Sequence, residues 1–411
     1  MSYRRTKYAC YFAYLAMSSV FCLPPMLFVT FRQTYHISYT LLGTLVLTNF
    51  CTQLLVDLLF TVWAHKFSVK TVVRIMPLVT ATGLTVYALS PCLFPNNVYV
   101  GLLIGTVIFS VASGLCEVLL SPLVASLPSD DPGRDMSTLH SLYAYGVLSV
   151  VLISSLFFVL FGSQNWQYLA LFWAVVPIFS CLFFCLSPIP DTNLTHTDPQ
   201  TKPTHRKRGL LLCVGCIFLG SAAENSMTNW ISGYLETALG ISKSVGDILG
   251  LALFAILLGL GRTLYAKYGK NISKILLLGM TGAVLCYLVA GLSTGVILPL
   301  IACVLTGLCT SMLWPGTLIF MEEKIPHAGV AAYALMAAGG DLGASVAPQL
   351  LGSVVDWVSV SSWATTLGNT LSMTPEQVGM KVGMLLAAAF PLMGILLLLY
   401  MKNFFKKEHK S

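Results

Sequence analysis

Four carboxylates interrupt long apolar runs in this chain: Asp57, Glu117, Glu224 and Asp341. A charge at bilayer depth costs several kcal/mol, so each of these groups needs a partner, a proton or a water-filled cavity. Glu224 opens the densest polar stretch inside any apolar run, with Asn225, Asn229 and Trp230 beside it. A carboxylate, two amides and an indole suit a hydroxylated ligand, held by hydrogen bonds and stacking. The alternative is polar packing between helices. Glu117 shares a helical face with Gly114 and Ser121, and His140 and Tyr143 follow in the next run one turn apart. A Glu117–His140 contact would suit proton exchange; the other reading is a structural hydrogen bond. Asp341 lies on a stripe with Tyr333, Ala337 and Ser345 and beside Gly339, Gly340 and Gly343, a pattern for binding or proton transfer where helices approach closely. Asp57 is nearer the end of its run and is expected to form a gating salt bridge with Lys66 or Arg74, with Arg262 as a gating cation later in the chain. Trp314, before Pro315, and Tyr14 are aromatic candidates for a sugar ring, or else packing residues. Asp247 and Asp356 fall near run ends, where water can solvate them.

Absences narrow the chemistry. No Lys or Arg is read near the middle of any run, which disfavours anionic substrates and leaves a neutral polyol or sugar, or a cation. There is no GxxxxGK[ST] loop for ATP, no HExxH and no GxSxG elbow. An enzyme is therefore not expected, and neither is a cofactor. The 12 Cys are scattered through apolar segments without metal-ligand spacing, and no metal is expected.

The elements that position these residues follow from composition. Of 411 residues 56% are hydrophobic and only 9% charged, against roughly 25% charged in soluble domains. Runs of ~20 apolar residues fit about twelve spanning helices. Among them are helix 7 at about 209–237, helix 8 at 244–266, helix 11 at 328–357 and helix 12 at 379–402. Of the 23 Lys and Arg, all but Arg32, Lys243 and Lys381 fall on the side of the two termini. That bias predicts cytoplasmic termini in a plasma (inner) membrane, and it makes the basic surplus a topology signal, so no nucleic-acid partner is expected. Arg4, Arg5 and Lys7 precede an apolar span without a small-residue cleavage site, so the first helix is expected to be retained. A polar, Pro-rich stretch at 188–208 reads as a cytoplasmic linker between two six-helix bundles, 1–187 and 209–411. Ser372-Met373-Thr374-Pro375-Glu376, in the loop 358–378, reads as a short helix start.

The halves resemble each other. Gly114-Leu115-Cys116 through Leu120-Ser121-Pro122 recurs as Gly307-Leu308-Cys309 through Leu313-Trp314-Pro315, at one offset of 193. Such repeats accompany two bundles related by an axis along the membrane normal. The six-plus-six layout resembles the major facilitator superfamily. The stretch Ala64-His65-Lys66-Phe67-Ser68-Val69-Lys70 stands where that family carries a glycine-and-basic signature, with His65 for the usual Asp and Ser68 for the usual Gly. The counterpart from Gly261-Arg262 to Gly269-Lys270 is better preserved. Glu117 with Pro122, and the Gly339–Gly343 segment around Asp341, resemble the fucose–proton symporter branch. The resemblance implies an all-α membrane protein of twelve transmembrane helices in two pseudo-symmetric bundles. It also implies proton-coupled symport of a small neutral solute, a sugar above all, by a single chain in lipid. Proton-driven efflux of cationic or amphipathic compounds shares the fold and remains the alternative.

Overall fold

The computed structural model describes residues 3–63, 68–128, 132–190, 204–269, 271–325 and 330–408. It is helical almost throughout. The α-helices are α1 (Arg4–Met26), α2 (Phe28–Tyr35), α3 (Tyr39–Trp63), α4 (Val69–Ala88), α5 (Ser90–Leu93), α6 (Val98–Ser126), α7 (Pro132–Phe161) and α8 (Trp166–Cys185). They continue as α9 (Thr204–Thr237), α10 (Lys243–Gly246), α11 (Leu253–Tyr268), α12 (Ile272–Leu292), α13 (Ile297–Thr310) and α14 (Leu313–Lys324). The last four are α15 (Val330–Ser359), α16 (Ser362–Leu371), α17 (Pro375–Ala387) and α18 (Ala389–Glu408). A π-helical turn, Asp247–Ala252, joins α10 to α11.

Ten segments among the described residues are long and apolar enough to cross a bilayer. α7, with the shorter apolar stretch Tyr145–Phe161, and the 30-residue, Gly- and Ala-rich α15 complete twelve spans. Some spans are interrupted helices: α13 and α14 form one, and α17 and α18 another. Proline inside spans is tolerated because neighbouring groups re-satisfy the backbone.

The chain divides into two compact units. One comprises 1–37 and 48–196, the other 38–47 and 197–411. The division falls inside the stretch expected to be a linker, of which 191–203 lies outside the described residues. From Thr204 onward that stretch is already the first turns of α9. The helix start expected in the 358–378 loop is the beginning of the last span itself. Thr374 caps α17 in a reciprocal capping box with Gln377, and α16 fills the rest of the loop.

In the first unit α4 packs on α6 and α8, and α1 on α7. The α4–α6 contact depends on small residues. A Cβ on Gly105 would meet the Tyr87 backbone nitrogen at 2.7 Å, and one on Gly83 the Phe109 nitrogen at 2.5 Å. In oil, close backbone approach replaces the hydrophobic drive that holds soluble helices together. Tyr87 then joins Phe31, Phe109 and Trp166 in a buried aromatic cluster, ring centroids 4.9–6.0 Å apart.

In the second unit α15 packs on α9, and α12 on α13. Buried tyrosines tie helices through backbone carbonyls: Tyr287 donates to Ala223 at 2.6 Å and Tyr234 to Ala290 at 2.5 Å. The first residues of α3 belong to this unit. The backbone N–H groups of Tyr39 and Thr40 donate to the two oxygens of Asp356, at 3.2 and 2.6 Å. Asp356 is thus a helix cap, not a solvated end group.

Gly105→Val tests the small-residue contact. The branched side chain meets backbone that cannot swing away, at a cost of about 1–3 kcal/mol. Thermal unfolding of the purified variant is expected to fall by several degrees, while Gly295→Ala, with nothing nearby, leaves it unchanged.

Candidate functional site

The best-built polar site begins with a proline. Pro315 has no N–H, so the carbonyl four residues earlier, on Ser311, has no helical donor. The span breaks there, between α13 and α14. Arg262 of α11 fills the gap: its Nε donates to the Ser311 carbonyl at 3.0 Å. A Cβ on Gly261 would collide with the Ser311 side chain, so glycine is what lets α11 reach the break. The other end of the guanidinium faces Glu224 of α9, with Nη2 3.4 Å from Oε1. The remaining Glu224 oxygen, Oε2, is buried without a hydrogen-bond partner.

One arginine therefore serves two needs, an orphaned carbonyl and a carboxylate inside a span. The side chains are 31% and 15% exposed for Arg262 and Glu224, so the rest of the protein covers most, not all, of the pair. Arg262, read at the cytoplasmic end of helix 8 and given a gating role, is paired with Glu224, so a cation does stand beside one of the acids within the spans. The stretch Gly261–Tyr268 is the last two turns of α11.

The other residues singled out on α9 divide. Asn225 donates to Ser221, at 3.1 Å to its carbonyl and 3.2 Å to its hydroxyl. Asn229 donates to the Asn225 carbonyl at 2.9 Å. Their N–H groups serve their own helix; Asn225 remains partly accessible. Trp230 is fully buried, donates to the Pro348 carbonyl at 3.1 Å and meets Tyr39 edge-on, so it is a packing anchor and not a ligand platform. Trp314 is half-buried, its ring lying directly on Gly340 of α15. Asp341, the next residue, is 4% exposed on the helix that packs against α9. Tyr333's side chain lies outside the described residues.

The first unit holds a second polar cluster. Ser110 of α6 donates to Asn49 Oδ1 of α3 at 2.6 Å, and Gln53 Nε2 donates to the same atom at 3.0 Å. Glu117 is two turns along α6 from Ser110, and Gly114 between them packs on Gln53. Glu117 is half-buried. Asn49 and Gln53 were missed from sequence, although amides one turn apart within an apolar helix were a usable signal. Tyr14 is buried, and Tyr143 meets Phe21 edge-on at 5.8 Å. The His140 and Asp57 side chains and all of Lys66 lie outside the described residues. Arg74, expected as a gating partner, donates to the Phe184 carbonyl at the end of α8, at 3.4 Å.

Residues 9–348 match the family model of the Major Facilitator Superfamily. No curated protein matches the chain in sequence. Among solved structures, a bacterial homolog of the human lysosomal transporter Spinster, inward-facing and occupied, superposes with a TM-score of 0.80 at 12% identity, covering 99% of this chain and 98% of that one. A D-xylose–proton symporter gives 0.74 at 15%, covering 95% and 97%. The E. coli fucose–proton symporter gives 0.57 at 14%, covering 96% and 99%. At these identities the likeness is one of fold, and it singles out no branch.

A cycle of three variants tests the shared arginine. Arg262→Met leaves Glu224 unpaired and the Ser311 carbonyl orphaned, and is expected to destabilise by about 1–3 kcal/mol given the partial exposure. Pro315→Ala restores the missing N–H. In the Arg262→Met background it should recover about 1 kcal/mol of that loss, read by thermal unfolding; no recovery would dissociate the proline from the arginine.

Proposed function

The chain belongs to the Major Facilitator Superfamily, and we propose that it is a proton-coupled symporter of a small neutral polar solute, a sugar above all, working by alternating access. It is a transporter, not an enzyme. The reading rests on one observation: the Glu224–Arg262 pair is partly exposed and anchored to the broken span through Ser311. If Glu224 takes up a proton the ion pair is lost, and Arg262 turns wholly to the Ser311 carbonyl or to a ligand hydroxyl. Binding and protonation then act on the same guanidinium, which is the thermodynamic requirement for coupling. The charge-neutral pair leaves the site without a net charge, in keeping with an uncharged solute. Half-buried Trp314 beside the break offers an aromatic face. Glu117, two turns along α6 from Ser110, is the second candidate proton carrier, and Asp341 the third. The excess of Lys and Arg on one side supports cytoplasmic termini in the plasma membrane, and a single chain suffices for the cycle.

Uptake into proteoliposomes under an imposed pH gradient checks this. Wild-type protein is expected to accumulate one sugar or polyol from a panel and to lose accumulation with a protonophore. Glu224→Gln should bind solute yet lose proton-driven accumulation by about tenfold or more, since the charge change that links the two events is gone. Accumulation insensitive to protonophore removes the coupling. Proton-driven exit of cationic dyes without sugar uptake replaces it with the efflux reading.

A further inference from the structure

α8 turns an apolar stripe outward: Phe172, Val175, Phe179 and Phe183 are all exposed, at helical spacing. On a spanning helix such a face meets acyl chains. Beside Phe183 a groove of ≈ 1020 Å³ opens between α8, the first half of α1 and α7. That is at the upper end of the ~300–1,000 Å³ of small-molecule sites. One face of α1 lines the groove from Arg4 to Leu15. Phe12, Leu15, Leu142 and Phe183 give it apolar walls, and Phe12 meets Phe183 edge-on at 5.2 Å.

The end of the groove nearest the chain terminus is different. Arg4 and Lys7 line it together with Tyr8. The Arg4 guanidinium donates to the Tyr8 hydroxyl at 3.4 Å and stands 5.6 Å from the centroid of that ring. The phenol orients the cation without cancelling its charge. Arg4 and Tyr8 also line an adjoining groove of ≈ 790 Å³, which brings in Arg5. None of the described residues lining either groove is acidic. The bias of Lys and Arg toward one side of the membrane accounts for the side these cations occupy. It does not account for their standing at the rim of an apolar groove. The helix gains nothing from them either, since they occupy the first turn of α1, its positive end, where no acid offsets them.

Length points to the occupant. α1 rises ~16 Å between Arg4 and Leu15, about half of the ~30 Å hydrocarbon thickness. Over that distance the lining changes from cations and a phenol to hydrocarbon, as a phospholipid changes from phosphate to acyl chain. We propose that the groove between α1, α7 and α8 binds an acidic phospholipid, its phosphate held by Arg4 and Lys7 and one acyl chain laid over Phe12, Leu15 and Leu142. The site belongs wholly to the first unit, whereas Glu224 and Arg262 belong to the second, and it does not depend on what the transporter carries.

The test is thermal unfolding of the purified full chain in a neutral detergent, titrated with dioleoyl phosphatidylglycerol, dioleoyl phosphatidylcholine or water-soluble glycerophosphate. Phosphatidylglycerol is expected to raise Tm saturably by about 3 °C more than phosphatidylcholine does. Arg4→Gln together with Lys7→Gln should move the midpoint of that rise to about tenfold higher lipid or more, the loss expected of two cations near a headgroup. Lys402→Gln together with Lys406→Gln, at exposed positions of α18 outside the groove, should leave it unchanged. Leu142→Trp, which fills the groove and keeps both cations, should weaken it as well; if that variant fails to fold, the charge variants carry the test. Equal rises with the two phospholipids overturn the proposal, since lipid then merely surrounds the protein. An equal loss from the α1 and α18 pairs overturns it too, because the effect is then general surface charge. Glycerophosphate alone reproducing the rise also overturns it, since the site then takes an anion and no acyl chain.

Discussion

The absence of one N–H on Pro315 organises the second unit around the Ser311 carbonyl. In water an unpaired carbonyl is solvated at no cost. Inside a span it must find a donor from the protein. The donor recruited here is a guanidinium, and a guanidinium brings a charge that needs its own partner. Glu224 of α9 supplies it. A backbone defect on one helix, a cation on a second and an acid on a third are thus one arrangement, and none is stable without the others. Gly261 permits it, because only a residue without a Cβ lets α11 come that close to the break.

The same rule governs charges elsewhere, with helix ends as the usual solution. Asp356 receives the first N–H groups of α3, the positive end of a helix. Lys381, 8% exposed, donates to the Ser293 carbonyl that closes α12, and Arg74 donates to a last-turn carbonyl of α8, both negative ends. Each pairing has the sign the helix dipole favours and satisfies backbone groups a helix leaves open.

The twelve spans were legible because apolar length is a local property that composition alone carries. So was the special character of the repeated Gly-Leu-Cys to Pro segment. What the repeat concealed is that its two copies differ: α6 runs unbroken through 98–126, while the second copy breaks at 311–312. Arg262 was counted with the cations of the cytoplasmic side because it stands near the end of its run. Its partner is 38 residues away on another helix, and no helical periodicity reports a distance of that kind. Asp247, expected to be solvated, is 0% exposed and misled for a similar reason. Six residues of π-helix change the facing of the residues after Lys243, and an ordinary helical wheel cannot register that. Trp230 failed as a ligand candidate because an indole inside a span can spend its N–H on a backbone carbonyl as readily as on a solute.

The two copies of the repeat also divide the acids unequally. Glu117 in the first copy corresponds to Thr310 in the second, where the hydroxyl folds back on Thr306; the second unit carries its acid on α9 instead. Glu224 has a cation beside it, whereas Glu117 lies two turns along α6 from Ser110. A proton arriving at Glu224 leaves an uncompensated guanidinium, which must find another oxygen, so the event alters binding directly. A carrier that links a solute to a proton needs that kind of response at the place where the solute is held. Under the proposed reading that is why solute and proton meet at Arg262.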